Sequence, residues 1–231
     1  MEKVMKSRVN VLEIELNNNT AKEAMQKVME YMQTEPMNIV EIISANTLVK
    51  SKEDENLKDN IAQADLVLAG EQAVLEVAEV TDRKKLQEAD SQLFVKMLLR
   101  FFHKNHNRIF LLTESEDEKI HLKEYLQEYY YGIQIVGGEV VPTDSSADDM
   151  ILNSVNGAEA DCVLSMISSP FQEAFVVRNR ILLNTRMWLG LGKNTPLPLD
   201  KKKGKKPIRE FMIKRFLKRE VEKERQKRGN V

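Results

Sequence analysis

Hydrophobic positions along the chain switch repeatedly between a period of two and a helical period. Val9 to Leu16 alternates as an edge strand does, and Asn17-Asn18-Asn19 turns the chain. Thr20 and Glu23 form a capping box, after which Met25, Val28, Met29 and Met32 recur at helical spacing until Pro36. Such a methionine stripe reads as the core face of a helix. Met37 to Ile43 is a β-branched run suited to a buried strand, Thr47 to Gln63 is helical by composition, and Asp65 to Ala69 is the next strand. Helices are expected over Glu71–Val80, Ser91–Phe102, Glu116–Tyr130, Ala147–Val155 and Phe171–Leu183. In the second of these Leu93, Phe94, Met97, Leu98 and Phe101 share one face, and Gly132 ends the third. Strands are expected at Arg108–Leu112, Ile133–Val136, Asp161–Ile167 and Met187–Leu191.

Regular alternation of strand and helix with short connections implies an α/β fold: a Rossmann-like, mostly parallel sheet flanked by helices. The composition breaks at Gly192-Lys193, before a loop holding Pro196, Pro198 and Lys201 to Lys206. The pattern therefore divides into an α/β body over 1–199 and a basic appendage over 200–231. Pro207 suits the first turn of a last helix that gathers Ile208, Phe211, Met212 and Phe216, with Arg215 and Arg219 in the same arc.

Charge sharpens this division. Formal net charge is -1, yet residues 201–231 carry 14 Lys/Arg against 4 Asp/Glu, while the preceding 200 carry 21 against 32. An acidic body with a basic end points that end toward an anionic surface, lipid or nucleic acid. Long basic stems lie along an apolar surface with their charges in a headgroup layer. The same helix pattern also suits packing on the body or on a second copy. Aromatics at 6% are too sparse for a base-stacking platform, so no nucleic acid is expected. Cys162 lies alone in an apolar run and reads as a core residue of a reducing compartment. No leader-like apolar stretch and no run near the roughly 18 residues of a membrane span is visible, so a cytoplasmic body is expected.

Candidate chemistry collects at strand ends, where open α/β sheets bind ligands. His103 and His106 are an H-x-x-H pair without further ligands and read as solvated surface residues. Gly137-Gly138 follows a predicted strand and reads as a turn. Three ends remain: Ser44-Ala45-Asn46, Gly70-Glu71-Gln72 and Ser168 to Glu173. Ser44 and Asn46 suit either a sugar hydroxyl or a helix cap. Ser169-Pro170 opens a helix whose first turn holds Gln172 and Glu173, and free N–H groups at such an end suit a diphosphate.

In this order the motifs resemble the WecG/TagA/CpsF family of bacterial glycosyltransferases over about residues 8 to 230. Val9-Asn10-Val11-Leu12 before a Thr-started helix is similar to the family's opening. Ser44-Ala45-Asn46 resembles its T-x-N, Ala64-Asp65-Leu66-Val67-Leu68 its A-D-L-V-L, and Ile109 to Leu112 its strand before a Gly-rich turn. Pro170, Gln172 and Glu173 match its G-x-P-x-Q-E, and a basic C-terminal helix follows in both. The resemblance implies an inverting enzyme that adds an amino sugar from a UDP-sugar to a polyprenyl-diphosphate-linked N-acetylglucosamine, for teichoic acid or surface polysaccharide, without a metal. It implies substrate contacts at Ser44, Asn46, Gln72, Pro170, Gln172 and Glu173. It also implies peripheral attachment to the cytoplasmic membrane face through Lys205, Lys206, Arg209, Arg215 and Arg219. Departures are specific. The P-D-G-x-G of the family is Ala69-Gly70-Glu71-Gln72-Ala73 here, so its Asp falls on Gly70 and Glu71 is the replacement base. R-x-x-G-S-D-L becomes Gln87 to Leu93, Gly-Gly becomes Thr113-Glu114, and G-x-G-G-x-F-D becomes Gly190 to Pro196. A second reading is therefore a catalytically silent relative that binds a nucleotide sugar or serves as a scaffold.

Overall fold

A computed structural model describes residues 8–142, 148–193, 195, 215–223 and 226. The stretch read as one edge strand is a hairpin, β1 (Arg8–Val11) and β2 (Ile14–Asn17), forming a separate two-stranded sheet. Leu12 and Glu13 make its turn at φ 52° and 68°, left-handed values that fit a tight hairpin without the glycine that usually announces one. Asn17 then fastens the hairpin to the main sheet by accepting the Val67 N–H at 2.9 Å.

The capping box holds α1 (Ala21–Tyr31), with Thr20 Oγ1 accepting the Glu23 N–H and Glu23 accepting the Thr20 N–H at 2.7 Å. Met25, Val28 and Met32 enter the core, while Met29 stays on the surface. After β3 (Asn38–Ile43) the polar segment is two helices rather than one. Asp54 breaks it by capping the second, so α2 (Ala45–Ser51) and α3 (Glu55–Ala62) replace a single span. β4 (Leu66–Ala69) and α4 (Gln72–Val77) follow as expected. An additional helix, α5 (Arg83–Asp90), is capped by the Asp82 carboxylate. The chain continues through α6 (Leu93–Asn105), β5 (Arg108–Thr113), α7 (Glu116–Tyr129), β6 (Gln134–Val140), α8 (Asp148–Gly157), β7 (Cys162–Ser165), α9 (Phe171–Asn179) and β8 (Met187–Gly190).

Six strands form one wholly parallel sheet in the order β4-β3-β8-β7-β5-β6. Its faces follow strand alternation. Val40, Ile42, Leu111, Leu164 and Leu189 pack under α1, α6 and α7. Ile39, Phe110, Val163 and Trp188 face α8 and α9, and Ile43 and Val67 meet the hairpin, α2 and α3. Gly137 and Gly138 are not a turn: they lie inside β6, opposite Phe110 and Leu111. A Cβ on Gly137 would come within 2.6 Å of the Phe110 ring, so the glycine makes room for that ring rather than for a phosphate. His103 and His106 are not merely solvated. His103 Nδ1 accepts the Gly132 N–H at 2.9 Å, and His106 Nδ1 lies 3.1 Å from the Gly132 carbonyl, joining the end of α6 to the α7–β6 loop. Cys162 is fully buried in β7, and burial pushes its thiol up.

Residues 215–223 are helical and rest on the body. Leu217 is fully buried among the hairpin, α2 and α3, Val221 packs beside it, and Glu220 pairs with Lys52. Arg215, Phe216 and Arg219 stay exposed, so Phe216 belongs to the outer side of this helix. Lys205, Lys206, Arg209 and the helix start expected at Pro207 lie outside the described residues. Among the described residues no helix is long and apolar enough to cross a membrane.

Candidate active site

The carboxyl ends of β3 and β4 are joined through one helix start. Ser44 caps α2, its Oγ accepting the Thr47 N–H at 3.1 Å and lying 3.0 Å from Thr47 Oγ1. The Ala45 N–H, another donor left free by helix geometry, goes to Glu71 Oε1 at 2.7 Å. Ser44, Asn46 and Glu71 are thereby brought to one place, all half-buried. Neither Glu71 Oε2 nor the Asn46 amide makes a hydrogen bond among the described residues. Gln72 is held differently, by Nε2 donating to Glu76 Oε1 at 2.7 Å along α4. Gly70 is closed in: its N–H donates to the Ile43 carbonyl at 2.9 Å, and a Cβ there would meet Ile42 Cγ2 at 2.9 Å. The packing of this chain thus fits a glycine where a carboxylate-bearing residue would need Ile42 to shift.

The third motif lies deeper. Pro170 is exposed after a cis peptide bond, whereas Gln172 and Glu173 are 1% and 2% exposed. Gln172, Phe175, Val176 and Asn179 are all buried, an i, i+3, i+4, i+7 stripe that turns the start of α9 toward the sheet. Gln172 Oε1 accepts from Ser165 Oγ at 2.8 Å and from the Gly192 N–H at 3.3 Å, while its Nε2 donates to Glu41 Oε2 at 2.9 Å. Glu173 Oε1 accepts from Ser169 Oγ at 2.6 Å, and Ser169 Oγ lies 3.4 Å from Thr47 Oγ1. Lys50 donates to the Ser169 carbonyl. These residues form a buried polar layer beneath the strand ends and tie the ends of β7 and β8 to α2 and α9.

Glu41, in the middle of β3, was hidden in the sequence as the one charge in an apolar run. It is wholly buried, and Gly190 on the neighbouring strand leaves it room: a Cβ there would sit 2.0 Å from Glu41 Oε2. Burial and then the nearby Glu173 carboxylate push the Glu41 carboxyl well above the usual range, against the opposing pull of Gln172 and Trp188. Burial also raises Glu173, against its bond from Ser169. Glu41 Oε1 and Glu173 Oε2 are both buried without a hydrogen-bond partner.

At the ends of β5 and β7 stands Glu114. Its Oε1 accepts the Ser168 N–H at 2.6 Å, and its Oε2 pairs with Lys193. Burial would raise this carboxyl, but the Lys193 ammonium and the Ser168 N–H outweigh it and hold it below the usual range. Lys193 also stands 3.7 Å from Glu118 Oε1. Beside this pair, over α7, lies a cleft of about 360 Å³ lined by Asp117, Glu118, His121, Leu122, Met166, Lys193 and Thr195. A volume of that order suits a nucleotide-sized ligand. Among the described residues no group of three or more His, Cys, Asp or Glu side chains is placed to hold a metal ion. The arrangement offers a carboxylate with a free oxygen at one end of the sheet and a cleft with a lysine at the other.

The Glu114–Lys193 pair escaped the sequence reading because its members are 79 residues apart. No curated protein matches the chain. The model of the glycosyl transferase WecG/TagA/CpsF family, by contrast, matches residues 9–195 and spans every strand and helix that shapes these strand ends. The chain belongs to the WecG/TagA/CpsF family of glycosyltransferases.

Proposed function

We propose that the chain transfers an amino sugar from a UDP-sugar to a polyprenyl-diphosphate-linked N-acetylglucosamine, with Glu71 as the base. The observation that carries this reading is the Glu71 carboxylate, anchored at Oε1 by the Ala45 N–H beside Asn46 and making no hydrogen bond at Oε2 among the described residues. In this reaction Glu71 Oε2 takes the proton of the acceptor hydroxyl while that oxygen attacks the anomeric carbon of the donor. The bond from that carbon to the UDP oxygen breaks, UDP leaves, and the configuration inverts. Asn46 orients a sugar hydroxyl, and Ser44 shapes the turn that presents it. The cleft beside Lys193 takes the nucleotide. Gln172 and Glu173 serve from beneath, by fixing the strand ends, and Gln72 by steadying α4. No step is routed through a metal, so chelator leaves the rate unchanged. The exposed basic side of the last helix faces the cytoplasmic surface of the membrane, where the lipid-linked acceptor resides.

A second reading, a silent relative that binds the donor without transfer, is favoured by Gly70 and by Glu114 in the place of a phosphate-binding glycine. Incubation with UDP-N-acetylhexosamines and a lipid-linked acceptor analogue, followed by UDP release, separates the two. Turnover that falls by roughly a hundredfold or more in Glu71→Gln supports the first reading, that being the ordinary worth of a general base. UDP binding by calorimetry without turnover establishes the second. Neither binding nor turnover overturns both.

A further inference from the structure

Three residues form one row across neighbouring central strands of the sheet. Register pairs Ser165 of β7 with Gly190 of β8, and Gly190 with Glu41 of β3. Paired positions of adjacent strands project to the same face, so a hydroxyl and a carboxyl flank the gap left by the glycine. The Gln172 amide from α9 occupies that gap: a Cβ on Gly190 would come within 2.6 Å of its Nε2. Ser165 Oγ donates to Gln172 Oε1 at 2.8 Å on one side, and Gln172 Nε2 donates to Glu41 Oε2 at 2.9 Å on the other. Ser165, Gln172 and Glu41 are each at most 1% exposed, so bulk solvent offers the amide no other partner. A buried carboxyl with Oε1 unpaired opposes folding, whereas an apolar side chain in the middle of β3 would not. What Glu41 supplies in return is direction.

The two ends of an amide side chain differ: its nitrogen donates and its oxygen accepts. With Nε2 committed to Glu41, Gln172 Oε1 is turned toward Ser165 and toward the Gly192 N–H, which it accepts at 3.3 Å. The preceding N–H, of Leu191, still bonds the Ser165 carbonyl in strand fashion at 2.9 Å. At Gly192 the chain leaves β7 and turns, with φ 74°. Lys193 comes next, pairing with Glu114 and lining the cleft over α7. Without an acceptor at position 41 the amide has an unmatched donor, and turning it over would set Nε2 against the Gly192 N–H, donor against donor. We propose that Glu41 is a positioning residue for the nucleotide cleft: it fixes the orientation of the Gln172 amide, which holds the Gly192 N–H and thereby the turn that carries Lys193. This role rests on the donor reading above and adds to it a residue that touches no substrate.

Calorimetry with UDP and the NMR signal of the Gly192 amide, both on the full chain well below its melting temperature, test this. Glu41→Gln keeps the length and the acceptor, so UDP affinity within about twofold of wild type and an unmoved Gly192 amide are expected. Glu41→Leu removes the acceptor, and Glu41→Asp withdraws it by one methylene while keeping the acid. Both are expected to bind UDP roughly tenfold more weakly, the worth of one lost hydrogen bond, with the Gly192 amide proton moved upfield and exchanging faster. Circular dichroism reports the fold, and the aspartate variant decides the question if the leucine variant does not fold. Because Glu41 acts through Gln172, Gln172→Leu should weaken UDP binding as much, and Glu41→Leu added to it should weaken it no further. Aspartate and leucine variants that bind UDP like wild type, a glutamine variant as weak as the leucine one, an unmoved Gly192 amide, or additive losses in the double variant overturn the positioning role and leave the donor reading intact. Absence of UDP binding in the wild type overturns the donor reading, and the Gly192 amide then decides the positioning alone.

Discussion

Replacing Glu41 by Gln should change how stability depends on pH more than it changes stability itself. Glu41 is wholly buried with its carboxyl raised, first by burial and then by the Glu173 carboxylate. A raised carboxyl keeps its proton in the folded state at pH values where the unfolded chain has lost it. Its stabilisation is complete below the unfolded value near 4.5 and is lost as pH rises toward the folded value. Within that window the loss is about 1.4 kcal/mol per pH unit for each such group. Glu173 has the same sign, so two groups contribute to the wild-type slope and one to that of Glu41→Gln. Glu114 lies below the usual range and titrates at lower pH, outside this window. The new side chain keeps an oxygen for the Gln172 Nε2–H and adds an amide where Glu41 Oε1 has no partner. Little cost is therefore expected at pH 5. For each pH unit above that, within the window, the variant should gain about 1.4 kcal/mol on the wild type, or roughly 0.5–0.7 M in urea midpoint for a slope of 2–3 kcal/mol/M. Urea melts at half-unit pH steps measure this directly. Parallel curves for the two proteins, or a uniform loss in the variant, would refute the placement of a proton-retaining carboxyl in β3.

Gly190→Ala puts a Cβ 2.0 Å from Glu41 Oε2 and 2.6 Å from Gln172 Nε2. Overpacking of this kind costs about 1–3 kcal/mol; a thermal melt unchanged from wild type would show that β8 has slack the structure does not reveal. Glu114→Gly removes the carboxylate beside the cleft and frees Lys193, so calorimetry should find UDP binding tightened roughly tenfold, about 1.4 kcal/mol. Unchanged or weaker binding would place the nucleotide elsewhere. Arg215→Glu with Arg219→Glu leaves the buried Leu217 contact intact because both arginines are exposed. Each basic residue near an anionic bilayer is worth about 1 kcal/mol, so co-sedimentation with phosphatidylserine-containing vesicles should fall at least tenfold, and retention would count against a membrane role.

The sheet was legible because buried parallel strands are short β-branched runs and each helix carries its own stripe and cap. What was missed has local causes. The turn at Leu12-Glu13 uses left-handed backbone on residues that do not signal it, and α5 has only Leu86 and Ala89 as apolar marks within Arg83–Asp90. Gly137 and Gly138 read as a turn because glycine weakens a strand signal, whereas the Phe110 ring occupies the space of the side chain absent at Gly137. At the site, Ser44 and Glu71 could be placed at strand ends, but their link through the Ala45 N–H could not, because it depends on how two loops meet. Gln172 and Glu173 looked like ligand contacts because they are polar and open a helix. Their spacing with Phe175, Val176 and Asn179 already marked the inward face. Glu41 was the strongest overlooked signal, a carboxylate at an inward position of a strand with apolar neighbours on both sides.

The last strand among the described residues, β8, is inserted at the centre of the sheet and pairs with both β3 and β7. Until Met187–Gly190 emerges during synthesis, β4-β3 and β7-β5-β6 are two half-sheets, each with an open inner edge. Such edges are templates for mispairing, and long-range parallel pairing is slow. Glu41 and Gln172 belong to opposite halves and meet only across this strand, so their bond forms as the halves close. Closure of the sheet therefore waits for β8. A premature stop before β8 would release a chain with most of its helices and two exposed strand edges, a product for chaperones and proteases rather than a shortened enzyme.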